Sequence, residues 1–157
     1  MIIRKKAYMA DTLETTVDKF TFKVATDRLY TPEGVWAKEE NGRVRIGLTD
    51  FVQQRSGDVA FVDVKPAGKT LSAGDEVVNI ETIKVNITYT CPVNGKIVEV
   101  NPAMSDAPEA INQDPYGAGW LAVIEVADWE ADRSRLLDPQ AYFIKMKREA
   151  EQEVNKR

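Results

Sequence analysis

The chain has 157 residues, 43% hydrophobic and 29% charged, with a net charge of −4, which suits one soluble globular domain and excludes the basic stripe of a nucleic-acid binder. It contains no histidine, so the commonest general base, the Ser-His and Cys-His pairs and the commonest transition-metal ligand are all missing. One cysteine precludes an internal disulfide and fits a cytoplasmic location; no apolar run is long enough to span a bilayer, and with no apolar region after Met1-Ile2-Ile3-Arg4-Lys5-Lys6 a cleavable signal peptide is not expected.

Residues 1–19 are polar without clear periodicity and read as an N-terminal arm or short helix ahead of a domain over 20–137. The runs Phe20-Thr21-Phe22-Lys23-Val24 and Arg43-Val44-Arg45-Ile46 are β-like, and Asn41-Gly42 between them is the dipeptide of a tight hairpin. Thr49-Asp50-Phe51-Val52-Gln53-Gln54 reads as one or two helical turns capped by Thr49 or Asp50.

Strands are expected over 59–64, 76–80, 83–90 and 96–100, separated by the turns Pro66-Ala67-Gly68, residues 70–75 and Pro92-Val93-Asn94-Gly95. Short strands at nearly even spacing predict an all-β barrel or sandwich. The segments that begin at Val59 and Ile97 echo one another, as two similar β-units would. Residues 101–119 read as a long irregular segment before a strand over 120–126. Asp138-Pro139 is an N-cap followed by proline at the first helical position, and Phe143, Met146, Ala150 and Val154 then recur at helical spacing. A C-terminal helix over 138–157 packed on the domain follows, with Glu149, Glu151 and Glu153 on its solvent side.

Glu81-Thr82-Ile83-Lys84-Val85 falls between two strands of a hairpin, which presents the Lys84 amine to solvent and to a modifying enzyme. A lone exposed lysine carries no function by itself; the frame around it does. Gly57-Asp58-Val59, Pro66-Ala67-Gly68, Gly74-Asp75-Glu76, Glu81-Thr82-Ile83-Lys84 and Pro92-Val93-Asn94-Gly95 occur in order. With Tyr30-Thr31-Pro32-Glu33-Gly34-Val35-Trp36 and Gly119-Trp120-Leu121, these motifs resemble the H protein of the glycine cleavage system over most of the chain.

The resemblance implies a flattened barrel-sandwich hybrid of two antiparallel sheets with a C-terminal helix behind. It also implies lipoate attached to Lys84, with Glu81 read by a lipoate ligase or by lipoyl synthesis enzymes. The Met-Lys-Met tripeptide of biotin carriers is absent. A carrier has no catalytic residues of its own; its cofactor holds the chemistry, and tethering gives a high effective concentration.

Two departures bear on cargo. The family's acidic residues before Trp36 and four positions after the lysine stand here as Val35 and Thr88. Losing a charge-assisted contact to a partly buried ammonium costs about 1.5–3 kcal/mol. The resemblance therefore implies a shift from an aminomethyl cargo toward the H-protein-like carriers of bacterial sulfur oxidation, whose partner is a heterodisulfide-reductase-like complex. A diverged carrier working with the glycine cleavage enzymes is the alternative. A non-lipoylated interaction module is the alternative of another class.

Val35, Thr88, Tyr116 and Trp120 are the candidate lining of a groove for the arm. Cys91 is either a thiol able to exchange with the arm or a small buried side chain. No metal site is expected: Asp106, Glu109 and Asp114 fit no calcium loop, and Gly117-Ala118-Gly119 lacks the frame of a phosphate loop.

Overall fold

The computed structural model describes residues 11–156. Eleven strands form three antiparallel sheets among the described residues. A hairpin joins β1 (Thr12–Val17) to β2 (Phe20–Ala25). The six-stranded sheet runs β3 (Leu29–Tyr30), β4 (Val35–Glu40), β5 (Arg43–Leu48), β11 (Ala122–Val126), β10 (Gly95–Val100) and β7 (Thr70–Leu71). The three-stranded sheet runs β6 (Val59–Val64), β8 (Glu76–Thr82) and β9 (Asn86–Thr90). β6 and β10, whose sequences echo, lie in different sheets.

Local chemistry places the turns. Asn41 and Gly42 take φ of 53° and 82°, the positive pair a two-residue type I′ turn demands, so Glu40 faces Arg43. Helix α1 (Asp50–Ser56) is capped by Thr49, whose Oγ1 accepts from the Val52 amide at 3.3 Å. Helix α5 (Pro139–Asn155) is capped by Asp138, which accepts from the Ala141 amide at 2.7 Å.

The principal core lies between the six- and three-stranded sheets, where Val35, Ile46, Ile80, Ile97, Leu121 and Ile124 are fully or almost fully buried. A second core seats the β1–β2 hairpin and α5 against β4 and α1, through Val17, Phe22, Trp36, Phe51, Tyr142 and Met146. Trp36 lies where a side chain on Gly47 would stand, 2.4 Å from that Cβ position, and its Nε1 donates to the Leu48 and Pro115 carbonyls at 3.0 Å. Each such side chain contributes about 1.5–3 kcal/mol on burial.

The structure corrects three boundaries. Thr12–Val17 is a strand paired along its length with β2, not an arm or helix, so the expected break at 19/20 falls inside a hairpin turn. Residues 1–10 of that expectation lie outside the described residues. The segment 101–119 contains two single-turn helices, α2 (Ala103–Asp106) and α3 (Ala110–Gln113), and the next strand starts at Ala122 rather than Trp120. A further short helix, α4 (Trp129–Arg133), separates β11 from α5. On α5, Tyr142, Met146 and Ala150 are buried, while Phe143 and Val154 are half-buried.

Candidate functional site

Strands β8 and β9 pair from Glu76↔Thr90 to Glu81↔Asn86, and the chain reverses between them through Thr82, Ile83, Lys84 and Val85. Thr82 holds this reversal. Its Oγ1 accepts from the Lys84 and Val85 amides at 3.1 Å and donates to the Ser56 carbonyl at 2.7 Å, while its own amide donates to the Val85 carbonyl at 2.8 Å. The Ile83 amide adds a contact to the Asp58 carbonyl at 3.3 Å. A hydroxyl at the first position of a turn, reaching the amides two and three residues on, is the ST-turn arrangement. The tip is thereby tied to the end of α1.

Lys84 stands exposed at that tip, and its Nζ makes no hydrogen bond or ion pair among the described residues. Ile83 and Val85 beside it are 76% and 41% exposed, and Phe61 on β6, opposite Glu81, is 61% exposed. Bare apolar side chains around one free amine form a surface a partner can grip. Glu81 is exposed on the same hairpin, three residues before the lysine.

Gly57 lies directly beneath. Its φ of +89° and ψ of −171° belong to a region essentially reserved for glycine, and a Cβ there would stand 3.4–3.6 Å from the Lys84 methylenes. The lysine stem rests on this bare backbone. Asn112 of α3 fixes the shelf: its Nδ2 donates to the Gly57 carbonyl at 3.0 Å, and its Oδ1 accepts from the Val59 amide at 2.9 Å. An exposed amine, a pinned turn and a shelf without a side chain fit a long acyl group on Lys84.

The four expected groove residues do not form one groove. Val35 is fully buried between the sheets. Thr88 points to the outer face, because Ile87 and Tyr89 on either side turn inward, and its Oγ1 accepts from Asn79 Nδ2 at 3.0 Å. Trp120 stacks under the Arg45 guanidinium, 4.3 Å from its ring centre. Tyr116 belongs to a different neighbourhood, beside the β1–β2 hairpin, where its hydroxyl donates to the Lys23 carbonyl at 2.6 Å.

Of the two readings of Cys91, the structure agrees with the small buried side chain. Its side chain is buried, its Sγ donates to the Val93 carbonyl at 3.1 Å, and burial pushes the thiol up to about 11. Buried and with little thiolate near neutrality, it packs as a small core side chain.

Sequence reasoning missed the hydroxyl of Thr82, the shelf at Gly57 and Asn112, and Glu33. Glu33 is an exposed carboxylate whose Oε1 accepts from the Thr90 amide at 2.9 Å and from Thr90 Oγ1 at 2.7 Å, which places a negative charge beside the strand leaving the tip. The Thr82-x-Lys84-Val85 spacing was the one signal available.

Two cavities are lined in part by α1. Between the sheets, a void of about 10 Å³ is lined by Leu48, Val52, Ser56, Ile80, Ile87 and Tyr89, among others. A larger cavity, about 340 Å³, lies between the β1–β2 hairpin, α1 and the segment after α3. On its border Arg28 is buried, donating to Asp27 at 2.8 Å and to the Tyr116 carbonyl at 3.0 Å, with its guanidinium over the Trp36 ring. Burial alone would raise the Asp27 carboxyl, but Arg28 and Lys38 outweigh it and hold the group below the usual range. No group of three or more possible metal-binding side chains occurs among the described residues, and no described helix is long and apolar enough to cross a membrane.

Residues 28–149 match the family model described as glycine cleavage H-protein. The chain is 41% identical over 132 residues to glycine cleavage system H protein 4 of Aquifex aeolicus, covering 84% of this chain and 77% of that protein. It is 39% identical over 122 residues to a probable glycine cleavage system H protein of Pyrococcus horikoshii, covering 77% and 90%. The fold matches a crystal structure of a glycine cleavage system H protein from Mycobacterium marinum with a TM-score of 0.70 at 34% identity, over 76% of this chain and 95% of that one. Proteins of this family carry lipoate covalently attached to a lysine.

Proposed function

Since the chain belongs to the glycine cleavage H-protein family, we propose that it is a lipoyl carrier whose arm is attached to Lys84 and serves the glycine cleavage enzymes. The observation that carries the attachment site is an unpaired, exposed lysine on a turn pinned by Thr82. When attached, the lipoyl group supplies reversible thiol–disulfide chemistry and a carrier function for partner enzymes. The chain's own residues position it. Thr82 fixes the direction in which the stem leaves the hairpin, Gly57 provides the surface on which it lies, and Ile83, Val85 and Phe61 offer apolar contact to a docking partner. Glu81 is the residue that a lipoate-attaching enzyme would read.

The aminomethyl cargo has the stronger support, because the family and its relatives are glycine cleavage H proteins. The sulfur reading, with its heterodisulfide-reductase-like partner, rests on Val35 and Thr88 alone. Val35 of the six-stranded sheet is buried between the sheets while Thr88 faces outward from the three-stranded sheet, and the Glu33 carboxylate returns a negative charge to this flank. A cationic cargo is compatible with that charge. The test is loading of the lipoylated chain by glycine and glycine decarboxylase. Glycine-dependent loading supports this reading, whereas its failure beside an active control H protein returns the sulfur cargo to first place.

A further inference from the structure

The β1–β2 hairpin precedes the residues matched by the family model, and its two edges are finished in opposite ways. The Thr26 amide donates to the Asp11 carbonyl at 2.9 Å, which fixes the phase of the ladder. Residues 13, 15 and 17 therefore exchange hydrogen bonds with 24, 22 and 20. Thr21, Lys23 and Ala25 on β2, and Thr12, Glu14 and Thr16 on β1, direct their backbone groups away from the hairpin.

Side chains close the β2 edge. Asp50 Oδ2 accepts from the Lys23 amide at 2.9 Å, and Tyr116 Oη donates to the Lys23 carbonyl at 2.6 Å. Gln54 Nε2 donates to the Thr21 carbonyl at 2.9 Å, and Tyr30 Oη to the Ala25 carbonyl at 2.5 Å. The β1 edge is bare. β1 pairs with β2 alone, and no hydrogen bond to the outward groups of Thr12, Glu14 or Thr16 occurs among the described residues. Soluble proteins guard such edges with proline, lysine or a bulge. β1 has an unbroken register, neither proline nor lysine, and Glu14 as its single charge.

The strand's own sequence says what fits beside it. A second β1 laid antiparallel aligns its outward groups in two registers that keep most of the strand paired. One sets Glu14 opposite Glu14 of the second copy and Leu13 opposite Thr15, so like charges meet directly, which destabilises a cross-strand pair. The other sets Glu14 opposite Thr16, Leu13 opposite Val17, and Thr15 opposite Thr15. In this register apolar meets apolar on the face that packs in the second core, and no charges are opposed. Glu14 also keeps its own counter-ion, Lys23 of the same hairpin, at 3.8 Å. The two Glu14–Thr16 pairs then exchange four N–H···O bonds.

We propose that β1 is a dimerisation edge: two copies of the chain join through antiparallel β1 strands about a twofold axis at Thr15. The result is a four-stranded intermolecular sheet in the order β2-β1-β1-β2. The Lys84 tip belongs to the three-stranded sheet and takes no part in the pairing, so one dimer presents two tips.

The test is sedimentation velocity of the full-length chain from about 10 µM to about 1 mM, the weak end of specific association. The mass rises toward twice that of the monomer. Over the same range, hydrogen exchange at the Glu14 and Thr16 amides slows about tenfold or more, because those amides gain partners only in the dimer. Glu14→Pro removes one outward N–H at an exposed edge position and keeps the chain monomeric. Thr15→Cys reports the register. At a non-hydrogen-bonded antiparallel pair the Cα atoms stand about 4.5 Å apart, within disulfide reach, so mild oxidation links two copies. Glu14→Cys does not link, and the native chain, whose Cys91 is buried, is the control. A monomer at every concentration, with fast exchange at Glu14 and Thr16, overturns the proposal. So does a dimer that Glu14→Pro leaves intact. Where Glu14→Pro loses the circular dichroism of the fold, the cross-link decides: linkage through Glu14→Cys instead of Thr15→Cys, or through neither, overturns it.

Discussion

Replacing Thr82 by valine keeps the shape of the side chain and removes one hydroxyl. That hydroxyl donates to the Ser56 carbonyl at 2.7 Å and accepts from the Lys84 and Val85 amides at 3.1 Å. Each net hydrogen bond is worth about 0.5–1.5 kcal/mol. The two amides sit at an exposed tip where water replaces the lost acceptor, so their share falls at the low end of that range. The Ser56 carbonyl lies at the part-buried base and loses more. Thr82→Val is therefore expected to cost about 1–2 kcal/mol in urea unfolding, with Thr82→Ser retaining most of the stability. The local effect is the sharper one. Hydrogen exchange at the Lys84 and Val85 amides should accelerate about tenfold for each 1.4 kcal/mol of lost local protection, while amides of the six-stranded sheet follow the global change. Unchanged exchange at both amides, with unchanged stability, would refute the assignment of Thr82 as the residue that holds the tip.

Gly57→Ala forces a side chain into a glycine-only backbone region and against the Lys84 stem, so a loss of about 1–3 kcal/mol is expected, measurable as a lower urea midpoint. Asp138→Ala removes the N-cap of α5 and should cost about 1 kcal/mol, lowering Tm by about 2–4 °C in a chain of this size. Cys91 is protonated in the folded chain to about 11, against an ordinary value of 9.0. Its contribution is thus fully present below about pH 9 and is lost as pH rises toward 11, at up to about 1.4 kcal/mol per pH unit. Urea titrations at pH 8 and pH 10 should show a steeper loss for the native chain than for Cys91→Ala, the buried tyrosines contributing equally to both.

Much of the fold was legible because short-range chemistry dictated it. Asn41-Gly42 has one low-energy way to reverse a strand, and Asp138-Pro139 supplies both a cap and a preset φ for α5. Thr12–Val17 was not legible, since three of its six residues are threonines without strict alternation, and its strand exists through pairing with β2 and packing on α5. The lysine and its frame could be located from spacing; the supports of the lysine could not. Thr82 reaches Ser56 and Asn112 reaches Gly57 across 26 and 55 positions, and no local pattern encodes such pairs. The grouping of Val35 with Thr88 failed for a reason that period-two alternation already contains: with Ile87 and Tyr89 facing inward, Thr88 faces out. Cys91 was open between two readings until burial decided it.

The central claim, that Lys84 bears the lipoyl group, is tested most directly by peptide mass spectrometry of the full chain produced in cells able to lipoylate a known H protein. The account predicts a mass increase of one lipoyl group, confined to the peptide containing Lys84 and absent from Lys84→Arg. An unmodified Lys84 beside a fully modified control, or the lipoyl group on another lysine, would contradict it.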